Sequence, residues 1–113
     1  MEFELEDGLV FPRPNAATLD AQLRVLAPNS ANSFAILTLS DGDFIQTACE
    51  SNGYVIERRS QSPVHHFRAV RPAGGTLFTI DEVIATFVAF GYEPAHPPFL
   101  VWESMDDELG IIS

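Results

Sequence analysis

The chain has 113 residues, a hydrophobic content of 46% and a formal net charge of −10 at neutral pH. This length fits one compact domain, and the apolar content is sufficient for a hydrophobic core. The basic residues are all arginine, and their small number argues against a general grip on nucleic-acid phosphates and against binding to anionic membranes.

The N-terminal part of the chain predicts a short strand or tail followed by a helix. In residues 1–8, four acids surround Phe3 and Leu5, a pattern that fits either a short edge strand or a loose acidic tail. The stretch "NAATLDAQLRVLAP" then predicts the first helix, with Asn15 or Thr18 as its cap and a leucine on every third or fourth position. Pro28 ends this helix, because the residue before a proline avoids helical angles.

Four apolar runs with short polar turns between them predict an antiparallel meander. The strands are expected near 34–40, 43–49, 54–60 and 64–70, and the turns are "DGD", "SNG" and "QSP". Both faces of the first of these strands are largely apolar. It is therefore expected to be central and covered on both sides, with Ile36 and Leu37 buried.

The remaining elements complete the predicted fold. "TIDEVIATFVAFG" predicts a helix with a Thr79–Glu82 capping box, and its residues Val83, Ile84 and Phe87 are expected to pack on the sheet. "FLVWE" predicts a last strand, and residues 104–113 are a candidate loose acidic tail. The prediction is a single α+β domain over residues 1–113, in which one antiparallel sheet of about five strands carries two helices on one face.

The potentially reactive residues do not form a recognisable catalytic or metal-binding pattern. Cys49 is the only cysteine, so an intramolecular disulfide is impossible. His65 and His66 are adjacent in a strand and point to opposite faces, and no zinc-type spacing occurs. A pair of Cys49 with either histidine is conceivable as nucleophile and base, but a structural cysteine is the expected role. We therefore predict no metal, no cofactor and no enzymatic activity.

The paired acids also have structural explanations. Asp41 and Asp43 flank a turn glycine, Asp81 and Glu82 charge a helix start, and the remaining pair, in the C-terminal segment, is solvated. "PAGGT" lacks the lysine of a phosphate-binding loop. On the strand "YVIERRS", alternation places Tyr54 and Ile56 inward and Glu57 and Arg59 outward. The two outward residues form either a cross-strand ion pair or part of a polar docking surface.

The sequence also predicts a location. "MEFELEDGLVF" has no basic region followed by a long apolar stretch, so a signal peptide is not expected. No apolar run approaches the roughly 20 residues that span a bilayer. The cytoplasm is the expected compartment.

Several stretches together resemble a known class of proteins. "SFAILTLSDGDFIQTACESNGYVIERR", "HHFRAV", "TIDEVIATFVAFGYE" and "FLVWE" resemble small acidic bacterial immunity proteins, which accompany polymorphic toxins in contact-dependent and type VI secretion loci. The resemblance covers residues 33–103. It implies a single α+β domain that neutralises a cognate toxin by direct, non-catalytic binding.

Charge suggests the chemistry of such a partner. A nuclease-like or deaminase-like toxin is basic around its cleft, and an acidic inhibitor gains association rate by covering it. The candidate partner-binding residues are Asp41, Asp43, Glu57, Arg59, Trp102, Glu103, Asp106, Asp107 and Glu108. The alternatives are a role of the acids in solubility alone, or a self-associating or housekeeping interaction domain without a toxin, for which a homodimer is compatible with the sequence. The chemistry of a gene neighbour would separate these alternatives.

Overall fold

A seven-stranded antiparallel sheet runs through the whole of the computed structural model, which describes residues 1–92 and 97–109. The sheet order is β2-β1-β3-β4-β5-β6-β7. The elements in chain order are β1 (Glu2–Leu5), β2 (Val10–Pro12), α1 (Ala16–Leu23), β3 (Phe34–Thr38), β4 (Phe44–Glu50), β5 (Gly53–Gln61), β6 (Val64–Val70), α2 (Ile80–Gly91), β7 (Val101–Ser104) and α3 (Asp106–Leu109).

The predicted meander is confirmed, because β3 to β6 pair consecutively and antiparallel. The turns have the expected chemistry. Gly42 in the first turn has a φ of 94°, and Gly53 after the second has a φ of 149°, where an added Cβ would lie 3.1 Å from the Phe78 carbonyl oxygen. These two glycines fix where β4 begins and where β5 begins, and so fix the register of the sheet.

The sheet has seven strands rather than about five, because the N-terminal residues add two. β1 lies inside the sheet between β2 and β3, with Phe3 opposite Leu37 and Leu5 opposite Ala35. Burial of Phe3 and Leu5 explains this position, so neither an edge strand nor a loose tail describes residues 1–8. Of the predicted tail of residues 104–113, Ser104 is the last residue of β7 and residues 106–109 form α3. Residues 110–113 lie outside the described residues.

Both longer helices cover one face of the sheet, as predicted. That face presents Phe3, Leu37, Ile45 and Ile56, and all four side chains are buried. The ring of Phe87 from α2 meets the ring of Phe3 edge-on, with 6.4 Å between ring centroids. The buried side chains of the helices complete this core: Leu19, Leu23, Val83, Ile84 and Phe87.

The helix ends follow the predicted capping in part. Asn15 caps α1 by accepting a hydrogen bond from the Thr18 backbone N–H at 2.8 Å. α1 ends at Leu23 rather than near Pro28, and the chain then turns so that Leu26 is also buried. The Thr79–Glu82 capping box of α2 is present, and Arg71 also binds Glu82, which lowers the pKa of this carboxyl. None of the described helices combines the length and apolar character needed to cross a membrane.

The opposite face of the sheet, called here the open face, carries neither α1 nor α2. The expectation that β3 is covered on both sides is therefore wrong. Leu37 is fully buried on the helix side, but Ile36 on the open face is only half-buried and Phe34 is 38% exposed. With two helices of this length, the described chain has enough apolar helical surface for one face only.

Truncation of Phe87 tests this account of the core. Phe87→Ala should lower the free energy of unfolding by about 3–5 kcal/mol, because a fully buried aromatic ring is replaced by a cavity. Urea denaturation followed by the fluorescence of Trp102, the only tryptophan, measures this loss. Val25→Ala is the control, since Val25 is 52% exposed and should change stability by no more than about 0.5 kcal/mol. Equal effects of the two substitutions would contradict the proposed packing.

Candidate interaction surface

Strand register aligns a row of polar side chains across the open face. Glu4 of β1 and Gln46 of β4 flank Ile36 of β3, and the row continues through Glu57 of β5. It ends with Arg68 of β6 and Glu103 of β7, which also lie directly opposite their neighbours. In an antiparallel sheet directly opposed residues point to the same side, so these side chains form one line. We call this line the polar row.

An apolar row lies beside the polar row. Phe34, Ala48 and Val55 are directly opposite one another in β3, β4 and β5. Together with Gln46 and Glu57 they line a depression with a volume of about 250 Å³, called here the groove. The side chains of Ala48 and Val55 are smaller than those of Phe34 on β3 and Glu57 on β5, which also line the groove. A partly apolar concavity with a carboxylate at its rim is thus built on the rigid centre of the sheet.

Glu57 is held in place by its neighbours. Its Oε2 lies 3.1 Å from Nε2 of His66, and its Oε1 lies 3.5 Å from Nε2 of Gln46. His66 is 7% exposed, and its Nδ1 has no hydrogen-bond partner among the described residues. The imidazole is thus held through Nε2 alone, and the contact fixes one oxygen of the carboxylate. The other oxygen keeps only a long contact and remains able to accept a donor.

Asp106 is a structural residue at the junction of β6 and α3. Its Oδ2 lies 2.8 Å from Nδ1 of His65, and its Oδ1 accepts the backbone N–H of His66 at 2.9 Å. These hydrogen bonds, with that of His65 first, lower the pKa of Asp106 below its ordinary value. These hydrogen bonds fasten α3 to the sheet. Because the side chain of Asp106 is buried, it is not exposed for contact with a partner.

The other acids of the predicted C-terminal cluster differ in their surroundings. Arg68 donates from Nε to Glu103 at 3.0 Å and lies 3.5 Å from Glu108, and the bond with Glu103 raises the pKa of Arg68. Asp107 is exposed and makes no ion pair within the described part of the chain. Of the four predicted acids of this region, Asp107 is therefore the freest carboxylate, and Glu103 and Glu108 are partly neutralised.

Trp102 does not lie on the open face. It is half-buried against the core on the helix side of β7, next to Ala69 of β6. The guanidinium of Arg58 lies over its ring, 5.0 Å from the centroid, and over the ring of Phe67 at 5.2 Å. Burial lowers the pKa of Arg58, although an arginine keeps its charge in proteins. Trp102 therefore serves the packing of the sheet, which makes it unsuitable as an anchor on the surface of the polar row.

The turn acids and Arg59 are also placed by the sheet. Asp41 accepts the backbone N–H of Asp43 at 3.0 Å, and Asp43 accepts that of Gln61 at 2.8 Å, so both acids stabilise the turn region. Arg59 lies on the open face opposite Phe44 and His66, as its alternation with Ile56 predicts. No ion pair of Arg59 occurs in residues 1–92 and 97–109.

The conceivable pair of Cys49 with His65 or His66 is not formed. Cys49 lies opposite Tyr54 on the helix side, whereas His65 pairs with Ser60, six residues further along β5. At about 3.3 Å per residue, this separates Cys49 from His65 by about 20 Å along the strand, and from His66, which lies opposite Arg59, by about 16 Å. The burial of Tyr54, and secondarily its hydrogen bond with Cys49, raises the pKa of its phenol. Within the described ranges, no three metal-ligating side chains converge either.

The open face keeps an excess of negative charge. Three arginines are bound to acids. Arg24 pairs with Asp20 and Asp81, and Arg71 pairs with Glu82. Arg68 of the open face pairs with Glu103 of the edge strand β7. The strand residues of the open face include five carboxylates and two arginines, namely Glu2, Glu4, Glu50, Glu57, Glu103, Arg59 and Arg68. Carboxylates therefore outnumber arginines on this surface, in the same direction as the net charge of −10 of the whole chain.

No protein-family model, curated protein or solved structure matches this chain. A functional conclusion must therefore come from the open face itself. Strand alternation in the sequence placed Glu57 and Arg59 on this face and named Glu103 only as part of an acidic cluster, and it did not predict the groove lined by Phe34 and Gln46. The signal was present in the apolar alternation of β3 and in the short turn before Gly53, which sets residues 46 and 57 opposite one another.

The role of Asp106 leads to a prediction about pH. Asp106→Asn should lower the free energy of unfolding at pH 7, because the ionised carboxylate loses its charge-assisted bonds to the two histidines. A carboxyl whose pKa is lowered by folding adds stability above its unfolded value near 3.8, and this stability is lost as the pH falls through the folded value. The difference between wild type and variant should therefore be present at pH 5 and decrease as the pH falls below about 4.

Urea titrations at each pH measure this difference. The exposed neighbour provides the control, because Asp107→Asn removes the same charge without removing a bond. Identical curves for the two variants would mean that Asp106 contributes only through net charge.

Proposed function

We propose that this chain is a non-catalytic protein-binding domain of the immunity type, which neutralises a bacterial toxin by covering it with the open face. The observation that supports this proposal is the combination of an uncovered apolar row with an acidic polar row on the same rigid sheet. Buried apolar surface supplies affinity in such interfaces, whereas complementary charge supplies association rate and choice of partner.

The size of the open face suits such a role. Seven strands about 4.8 Å apart make it about 30 Å wide, and strands of three to nine residues give it a mean height of about 20 Å. The resulting area of about 600 Å² approaches the roughly 800 Å² that one partner contributes to a standard interface. The loops around the sheet would add the remainder.

The charge of the open face favours a basic partner over a second copy of this chain. Two copies joined through this face would bring together two surfaces with excess carboxylates, which costs energy and slows their encounter. A toxin that acts on nucleic acid needs positive charge around its cleft to hold phosphates. An acidic domain in the cytoplasm would cover that cleft, so we propose a nuclease-like or deaminase-like toxin domain as the partner.

Association with the product of the adjacent gene tests this proposal. We expect co-expression with a basic toxin domain encoded there to restore growth, and the purified pair to associate with a rate constant that decreases as salt rises. Val55→Arg should reduce the association by at least tenfold, because it places a positive, bulky side chain at the centre of the open face. Val25→Arg is the matched control, since it adds the same side chain at an exposed position after α1.

Three results would count against the proposal. One is the absence of growth protection and binding with every basic neighbour product. Another is an equal loss of binding in the two valine variants. A third is concentration-dependent dimerisation that only Val55→Arg abolishes, which would support a self-associating domain instead.

A further inference from the structure

The groove has the dimensions of a site for one side chain. Its volume of about 250 Å³ is below the range of about 300–1,000 Å³ that is usual for pockets that enclose a small molecule. It lies at the centre of the open face, across β3, β4 and β5, where the backbone is fixed by strand pairs on both sides. Central, well-packed depressions of this kind hold the anchoring side chains of protein interfaces.

The lining of the groove is apolar along its length and negative at one side. Phe34, Ala48 and Val55 offer carbon surface, and Phe34 is 38% exposed in the free protein. Glu57 and Gln46 provide acceptor oxygens on the side of the polar row. A side chain that fits both parts needs a hydrocarbon stem and a cationic, hydrogen-bonding head.

Glu57 is prepared to receive such a head. His66 already holds its Oε2 at 3.1 Å, so the carboxylate loses little freedom when a ligand binds. Oε1 has only the 3.5 Å contact with Gln46 and keeps capacity for a short bond. The chain itself offers no lysine. Of the two arginines on the open face, Arg68 is bound to Glu103, and no ion pair joins Arg59 to Glu57 in the described ranges.

We infer that the groove binds an arginine side chain of the basic partner, with the stem along Phe34, Ala48 and Val55 and the guanidinium against Glu57 and Gln46. This inference rests on the proposed function for the source of the arginine. A planar guanidinium donates in two directions at once, toward the Glu57 carboxylate and the Gln46 amide oxygen, and stacks on an aromatic ring such as Phe34. A lysine ammonium matches this arrangement less well, because it is compact and strongly hydrated.

Binding of a blocked arginine to the purified chain tests the inference without any partner protein. The probe is N-acetyl-arginine N-methylamide, and N-acetyl-citrulline N-methylamide is its neutral comparator with nearly the same shape. Two-dimensional NMR of the ¹⁵N-labelled chain should show saturable shifts of the Ala48 and Val55 amides with the arginine probe only. Blocked lysine should bind several-fold more weakly.

Three variants locate the binding. Glu57→Gln should weaken the arginine probe by about tenfold or more, the scale of one hydrogen bond to a charged group. Ala48→Leu should abolish binding without any change of charge, because it fills the floor of the groove. Glu2→Gln is the control, since Glu2 is an exposed acid of the open face on β1, two strands away from β4. If Glu57→Gln fails to fold, Ala48→Leu still decides the question.

Several results would overturn the inference. Equal shifts with citrulline would show that the cation is irrelevant, and equal binding of lysine would show that the groove does not select arginine. Shifts scattered over the acidic surface, or equal losses in Glu2→Gln and Glu57→Gln, would show attraction by net charge only.

The two proposals can fail separately. A toxin that binds the chain equally well after Glu57→Gln and Ala48→Leu would refute the arginine site and leave the immunity function standing. Specific binding of the arginine probe, together with no protection against any neighbouring toxin, would refute the immunity function and retain the site.

Discussion

The alternation of side chains along the strands is the constraint from which the rest of the structure follows. Each strand sends every second side chain to the opposite face, so a sheet of seven strands has two faces of similar size. α1 and α2 together bury one face around Phe3, Leu37 and Phe87. The other face keeps Phe34, Ile36 and Val55 only partly covered within the described chain. The fold thus produces an amphipathic surface because its two longer helices lie on the same side.

The polar residues of the open face depend on the same strand register. Glu57 meets Gln46 because the turn before Gly53 is short, and it meets His66 because β5 and β6 pair with Arg59 opposite His66. His66 is in turn fixed through its backbone N–H by Asp106, at the start of α3. A chain of contacts therefore links the C-terminal segment to the carboxylate at the rim of the groove. The positions of Gln46, Glu57 and His66 follow from strand pairing, and Asp106 is bound to the backbone of β6.

The sequence was sufficient for the elements built from local signals. The Thr79–Glu82 capping box, the glycine turns and the consecutive pairing of β3 to β6 all follow from residues close together in the chain. It was insufficient where distant residues decide the outcome. The interior position of β1 depends on Phe3 meeting Leu37 and Phe87, and the burial of Asp106 depends on His65 and His66, about forty residues earlier. An acid in an acidic run is usually solvated, so composition alone gave no reason to separate Asp106 from Asp107.

This separation changes which acids can give the surface its specificity. Net charge attracts any basic protein and is weakened by salt, so it accelerates encounter without choosing among basic partners. Choice requires a carboxylate at a fixed position beside apolar surface, since a misplaced partner would then leave it desolvated and unpaired. Asp107 is exposed on a short terminal helix, whereas Glu57 stands on the central strands and is held by His66. The residues that attract a partner and the residue that selects it are therefore different, and the selecting residue lies where the sheet is most constrained.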